Sequence, residues 1–420
     1  MSTNKQLSLK SNMLWNSAGS TIRLACNYVI TIAAVRLSSG FDVAGGLAIA
    51  MSIANLVLPF ADYRLRTLQI TDVKNERSSN HYVGLRILTS FIAFFAGSLY
   101  ALITTSLTNL IPVILYLIYS LIVSFTEVFR AIDWRHYRMD IAGISYILQG
   151  ITDVVFFSLA LWMTNSLVWA VIAMIVSEIL IGCFYDAPRA AKFESIKPII
   201  EILPSLKLLL TLTPVAISQV LSTVVFTVPR QQLELTLGAD ALGIYASVAS
   251  PVLIVQMGAT YVYSPLLREL SQRLHSNKQS ALKLIKKTTG FILLITVVLS
   301  ILLLVFGNWL LEILFGSEIS QHTYILQPAI LFTLVTAFVW FMNDLLITVR
   351  NYKGAFIGNA LAAVLTVILS QWFINMFGIN GPSWVGTAAY SGALVIMVIL
   401  FAQSYRKLPS PSLDDDNRAA

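Results

Sequence analysis

The sequence predicts an all-α integral membrane protein, with about 12 transmembrane helices in two parallel-repeat six-helix lobes around a central cavity. Three observations carry that expectation. Apolar stretches of spanning length follow one another almost from end to end, and a bilayer core needs about 20 apolar residues per helix. Basic residues fall in every second gap between those stretches. A pattern beginning at Phe41 returns 198 residues later, at Ala239.

In order, the spans read Leu14–Val35, Ala44–Leu65, Val83–Thr105, Leu110–Ala131, Ile141–Met163, Leu167–Phe184, Leu206–Val228, Leu242–Tyr263, Gly290–Gly307, Ile325–Val349, Ala355–Phe377 and Trp384–Phe401. With the N-terminus in the cytoplasm, the inner segments, meaning the inner gaps and the span ends beside them, hold 25 of the 28 lysines and arginines, all but Arg23, Arg36 and Arg230. That one-sidedness is the positive-inside pattern, and shifting the register by one helix destroys it. The expectation is a multi-pass protein of a bacterial plasma membrane with both termini cytoplasmic. Composition agrees: 12% of residues are charged, against about 25% in soluble domains. The net charge of +7 does not point to nucleic acid, because it is spread over inner loops beside anionic lipid. Cys26 and Cys183 both fall inside apolar spans, so neither a disulfide framework nor a metal site is expected. The polar start, MSTNKQLSLKSN, lacks the layout of a cleavable signal peptide.

The outer gaps narrow the function. Ser38–Val43, Ser106–Asn109, Thr164–Ser166, Arg230–Ala241, Asn308–Tyr324 and Gly378–Ser383 leave no room for an outer catalytic domain. P-loop, GxSxG, HExxH and dinucleotide fingerprints are absent from the sequence. An enzyme is therefore not expected, nor a cofactor, and a one-chain ATP-driven pump is excluded. A channel, a secondary transporter or a passive scaffold remains.

The repeat favours a transporter. Phe41-Asp42-Val43-Ala44-Gly45 aligns with Ala239-Asp240-Ala241-Leu242-Gly243, and at the same offset Ala48 meets Ala246, Ala61 meets Ala259 and Tyr63 meets Tyr261. The offset spans six helices, an even number, so both halves share one orientation. The lobes are expected at residues 1–200 and 201–405, followed by a cytoplasmic tail, 406–420.

Polar residues inside the spans suggest what a cavity between helices would hold. Asn16, Ser20, Arg23, Asn27 and Thr31 form one stripe of the first span. Arg23 lies about eleven residues past the inner end, about 16 Å deep at about 1.5 Å per residue. An arginine there costs about 2.5 kcal/mol or more unless it faces water, an anion or a paired carboxylate. Gln219, Thr223 and Thr227 form a weaker stripe on the seventh span, where Pro214 allows a bend. Glu127 and Arg130 are spaced to pair on one face of the fourth span. Gln149 and Asp153 share a face of the fifth, and Glu178 lies within the sixth. Asp153 is the better candidate for a proton-linked carboxylate, being near mid-membrane and away from water.

At these residues the chain resembles a family. Leu9-Lys10-Ser11-Asn12, the turn Arg36–Gly45, the run Tyr63–Val73 and the run Tyr82–Arg86 look like the Wzx-type polysaccharide repeat-unit flippases, a branch of the MOP/MATE-like superfamily. Asp133–Ser145, with Arg138-Met139-Asp140 and Gly143, is similar to the corresponding loop of members from Gram-positive capsule and exopolysaccharide clusters. The resemblance implies two six-helix lobes around a cavity, and movement of an undecaprenyl-diphosphate-linked oligosaccharide from inner to outer leaflet for capsule, exopolysaccharide or O-antigen assembly. Arg23 would then face the diphosphate, and Arg66 and Arg86 would meet the anionic head group at the inner face. The partners it implies are the lipid-linked oligosaccharide, membrane lipid, a proton or sodium ion if transport is coupled, and the polysaccharide polymerase with its chain-length machinery. Two rivals stay open: a cation-coupled multidrug exporter of the same superfamily, kept alive by Asp153 and Glu178, and a non-transporting scaffold for surface-polymer enzymes.

Overall fold

The computed structural model describes residues 7–72, 77–252, 266, 270, 273–274 and 278–407, and the regular structure among them is helical. The elements run α1 (Leu9–Arg36), α2 (Asp42–Asp62), α3 (Leu65–Thr71), α4 (Ser79–Thr104), α5 (Leu107–Arg135), α6 (Met139–Thr164) and α7 (Leu167–Ile181). A π turn, Gly182–Asp186, joins α7 to the short α8 (Ala187–Ala190). There follow α9 (Ile202–Ala249), α10 (Lys278–Phe315), α11 (Leu326–Thr348), α12 (Tyr352–Phe377) and α13 (Gly381–Lys407). Among the described residues 10 segments are long and apolar enough to cross a membrane, and the last, Tyr352–Arg406, contains both α12 and α13. The chain is a multi-pass membrane protein. The expected eighth span is described only as far as Val252; its remainder, Ala259 and Tyr261 of the repeat, and the tail after Lys407 lie outside the described residues.

The chain divides into two compact units, Met1–Thr223 with Leu237–Ile244, and Val224–Thr236 with Tyr245–Ala420. In the first, α2 is buried without interruption from Val43 to Ala50. Small residues make that possible, since lipid supplies no hydrophobic drive and helices must gain by close packing. α1 lies along α6 in the same way. A methyl group on Gly19 would overlap the Gly143 main chain, and one on Gly143 would overlap that of Trp15. Asn12 closes the pair, its side-chain carbonyl accepting the Met139 N–H at 2.8 Å and so satisfying a donor at the start of α6.

Segment Leu237–Ile244 belongs to the first unit because it packs on the start of α2. A side chain at Gly45 would overlap the Ala239 carbonyl, and one at Gly243 would overlap the Phe41 carbonyl. Phe41 aligns with Ala239 and Gly45 with Gly243 in the 198-residue repeat, so the contact is reciprocal, as in an isologous interface.

The second unit has an apolar aromatic core. Phe332, Phe341 and Tyr390 are buried with Leu345, Leu346, Ala393 and Met397. Gly386 admits the Phe332 ring and Gly358 admits Met397, where a methyl group would clash with either side chain.

Two expectations need correction. The seventh span does not end at Val228 before an outer loop: α9 stays helical through Leu237 and breaks at Gly238, whose φ of 88° suits glycine. The polar run Arg230–Thr236 looked like a loop, but Gln, Leu and Glu are good helix formers, and Gln231, Leu233 and Glu234 are buried. Pro214 introduces no non-helical residue into α9. The ninth span, expected as Gly290–Gly307, extends at both ends to Lys278–Phe315, which carries Lys283, Lys286 and Lys287 on the helix rather than in a loop.

Candidate functional site

The site begins with a break in the backbone. α2 stops at Asp62, and Tyr63 and Arg64 both take left-handed conformations, with φ of 41° and 52°. Two successive non-glycine residues in that region are strained, by about 1–3 kcal/mol each, and persist only where the surroundings hold them. Here they redirect the chain into α3 and bring Arg64 and Arg66 to the wall of a cavity of about 380 Å³. The freed end of α2 is held by Arg86, which donates to the Ala61 carbonyl at 3.0 Å, Asp62 Oδ1 at 2.7 Å and Ser124 Oγ at 3.1 Å. Ser124 in turn donates to Asp62 at 2.5 Å, and Thr89 to the Ala61 carbonyl at 2.8 Å. Orphan carbonyls at a helix end need such partners when buried.

The cavity is lined by Arg64, Arg66 and Arg86 against Asp62 and Glu127, with Ser120, Ser124, Thr67 and Gln219 completing the polar wall. Glu127 is its centre of charge. Arg66 meets its Oε2 at 3.0 Å, Arg130 its Oε1 at 3.1 Å, and Arg23 its Oε1 at 3.9 Å. The Tyr146 hydroxyl donates to both oxygens at 3.1 Å. Arg23 and Arg130 also lie over the Tyr146 ring, 5.4 and 4.9 Å from its centroid, and Arg66 lies 4.7 Å over Trp134. With three guanidiniums on one carboxylate, the cluster carries surplus positive charge.

The three arginines are not equivalent. Arg130 is fully buried and donates also to Asp186 at 3.2 Å, Ser145 at 3.1 Å, Thr126 at 2.9 Å and the Val123 carbonyl at 3.2 Å. Arg23 and Arg66 keep 18% and 33% of their side-chain surface exposed.

A second cluster lies among α5, α6 and α7. Asp153 accepts from Tyr119 at 2.6 Å, and Glu178 accepts from Gln149 at 2.7 Å and Thr126 at 3.0 Å. One oxygen each of Asp153, Glu178 and Asp186, and both of Asp133, are buried without a hydrogen-bond partner.

The structure brings some of the residues singled out in the sequence to the cavity and not others. Arg66, Arg86, Glu127 and Gln219 line the cavity, Arg23 reaches it through Glu127, and Arg130 sits behind it. Arg86 is 1% exposed, so it holds the end of α2 instead of waiting at the inner face. The Glu127–Arg130 pair forms as expected but is not self-contained. Gln149 and Asp153 are both buried, and each bonds a different neighbour. Asn16, Ser20 and Asn27 stand on α1 with no side-chain hydrogen bond among the described residues, and the Thr223 hydroxyl bonds the Val220 carbonyl of its own helix. Arg64, Tyr146, Trp134 and Asp186 were missed. Asp186 had a signal, since it follows Glu178 by eight residues and so returns to the same helix face.

The runs that carry the family resemblance meet in space. Gln69 of Tyr63–Val73 donates to the Val128 carbonyl of α5 at 3.2 Å, and Tyr82 of the next run donates to Asp72 at 3.2 Å. Asn12 bonds Met139, and Arg138 grips Asp140 through two bonds of 2.9 Å.

Comparison with known proteins agrees with that resemblance. The pattern of a family described as polysaccharide biosynthesis protein matches residues 44–267. The capsular polysaccharide biosynthesis protein CapF of Staphylococcus aureus is 26% identical over 308 residues, which cover 72% of this chain and 76% of that protein. The lipid II flippase MurJ in an inward closed conformation superposes with a TM-score of 0.71 at 12% identity, over 94% of this chain and 88% of its own. An inward-facing multidrug resistance MATE family transporter of the MOP superfamily superposes with a TM-score of 0.70 at 13% identity, over 93% and 98%. At such identities the likeness is one of fold, the two-lobed helical fold of those transporters.

Proposed function

The chain belongs to the polysaccharide biosynthesis protein family, and from that premise we propose that it is a flippase, not an enzyme, moving an undecaprenyl-diphosphate-linked oligosaccharide from the inner to the outer leaflet of a bacterial plasma membrane. The observation that carries this reading is the surplus of guanidinium in the cavity of the first unit, where Arg64, Arg66 and Arg86 face Asp62 and Glu127, and Arg23 reaches Glu127 from behind that lining. An oligosaccharide diphosphate cannot enter hydrocarbon unaided, because its polar groups would lose water without replacement. Guanidinium offers two parallel donors to phosphate oxygens; Arg64 is exposed in the cavity wall, and Arg66 and Arg23 are the partly exposed guanidiniums on Glu127. The polyprenyl tail would stay in lipid.

The test is export in cells. Arg66→Ala with Arg23→Ala should leave the protein in the membrane while lipid-linked repeat units accumulate where an outer-leaflet probe cannot reach them. Export at the wild-type rate by the double variant would sink the reading.

The buried carboxylates support one addition, coupling of the same movement to a proton or sodium ion. Asp153 and Glu178 each keep a buried oxygen without a protein partner. A cation-coupled drug exporter would share that feature, but the arginines at Glu127 would repel a cationic drug.

A further inference from the structure

We propose that Glu127 is a stand-in anion: it occupies the Arg23 and Arg66 guanidiniums while the cavity is empty, and a diphosphate takes them from it when one binds. This rests on the reading of the cavity as a diphosphate site, and adds to it a residue that sets how tightly the head group is held.

The geometry points this way because the bonds to Glu127 fall into two kinds. Arg130 and the Tyr146 hydroxyl are fixed. Arg130 is fully buried and is tied by four further bonds, so it cannot leave. Arg66 and Arg23 are loose. Each is partly exposed, each has Glu127 as its ion-pair partner, and each is otherwise held by one aromatic face, Trp134 for Arg66 and Tyr146 for Arg23. The 3.9 Å distance of Arg23 is the longest of the three.

If Arg23 and Arg66 leave, Glu127 is still paired with Arg130 and still accepts from Tyr146, so no buried charge is stranded. The exchange of one anion for another is therefore nearly balanced. That balance suits a carrier, which must release what it binds.

The experiment uses the full chain in lipid nanodiscs, with inorganic pyrophosphate as the probe. Glu127→Gln removes the competing charge, so pyrophosphate should bind it about tenfold more tightly or better, and lipid-linked substrate export should fall because release is slowed. Equal or weaker binding by a Glu127→Gln protein that melts like wild type overturns the proposal. Should Glu127→Gln not fold, the wild-type protein supplies a second measurement. Arg66 lies on Trp134, so its departure should change Trp134 emission, read as the difference between wild type and Trp134→Phe because the chain holds 8 tryptophans. A saturable change that Arg66→Ala abolishes supports the exchange. Pyrophosphate binding without any Trp134 response overturns it and leaves the diphosphate reading standing. Absence of pyrophosphate binding by wild type overturns both.

Discussion

The two units bury different things. The first encloses Arg86, Arg130, Asp133, Arg138, Asp140, Asp153, Glu178 and Asp186, whereas among the described residues of the second the buried charge is Glu234. The second fills its interior with Phe332, Phe341, Tyr390 and Met397. A charge inside a membrane protein is costly and is kept where chemistry or ion movement needs it. The difference is one of filling: buried charges cluster in the first unit, and an aromatic core fills the second. Within the first unit the same contrast recurs on a smaller scale. Glu127 has a donor at every side, while Asp133, Asp153, Glu178 and Asp186 retain bare oxygens. The former carboxylate is outnumbered by its cations, and the latter carboxylates are short of donors.

The comparison can be broken at three points. Arg130→Met should have the largest effect, because it strands the fully buried Asp186 carboxylate without its cation and takes one of the three arginines from Glu127. The expected loss is about 3–5 kcal/mol, enough to remove most folded protein from the membrane, and thermal melting in detergent measures it. Wild-type melting would show that the charges of the first unit are dispensable. Phe332→Ala in the second unit should cost about 3 kcal/mol through the cavity it leaves between Phe226 and Tyr390, yet preserve pyrophosphate binding. Loss of pyrophosphate affinity in a folded Phe332→Ala protein would erase the division of labour. Asp153→Asn should be the mildest, about 1 kcal/mol, since an amide oxygen can still accept from Tyr119. Its effect should appear in transport instead: dependence of flipping on a proton or sodium gradient in reconstituted vesicles should vanish. An unchanged gradient response would return Asp153 to a purely structural role.

Much of this was legible in the chain. Apolar length and the alternation of basic residues are properties of sequence alone, and they give the class and the approximate spans. The repeat was legible because Phe41–Gly45 and Ala239–Gly243 keep an Asp and a Gly at the same spacing, and the structure puts those two segments against each other. Helical spacing revealed Arg23, the Glu127–Arg130 pair and the Gln149–Asp153 face. What stayed hidden depends on tertiary events. Arg66 reaches Glu127 because Tyr63 and Arg64 turn left-handed, and no residue type there announces it. Tyr146 and Trp134 read as ordinary apolar residues until a guanidinium is seen over each ring. The helix through Arg230–Thr236 was misread because its polar residues are hidden by packing, which hydropathy cannot see.

In a dimer of identical chains, a reciprocal contact such as that of Gly45 and Gly243 is encoded once and used twice. Here the two halves are written in separate codons, so a change at one is not copied to the other, and each half can be lost alone. Both glycines abut a main-chain carbonyl, Ala239 for one and Phe41 for the other. No substitution in a neighbour can make room, because every amino acid brings the same carbonyl. Each of two positions 198 residues apart is thereby closed to any side chain unless the backbone facing it moves first.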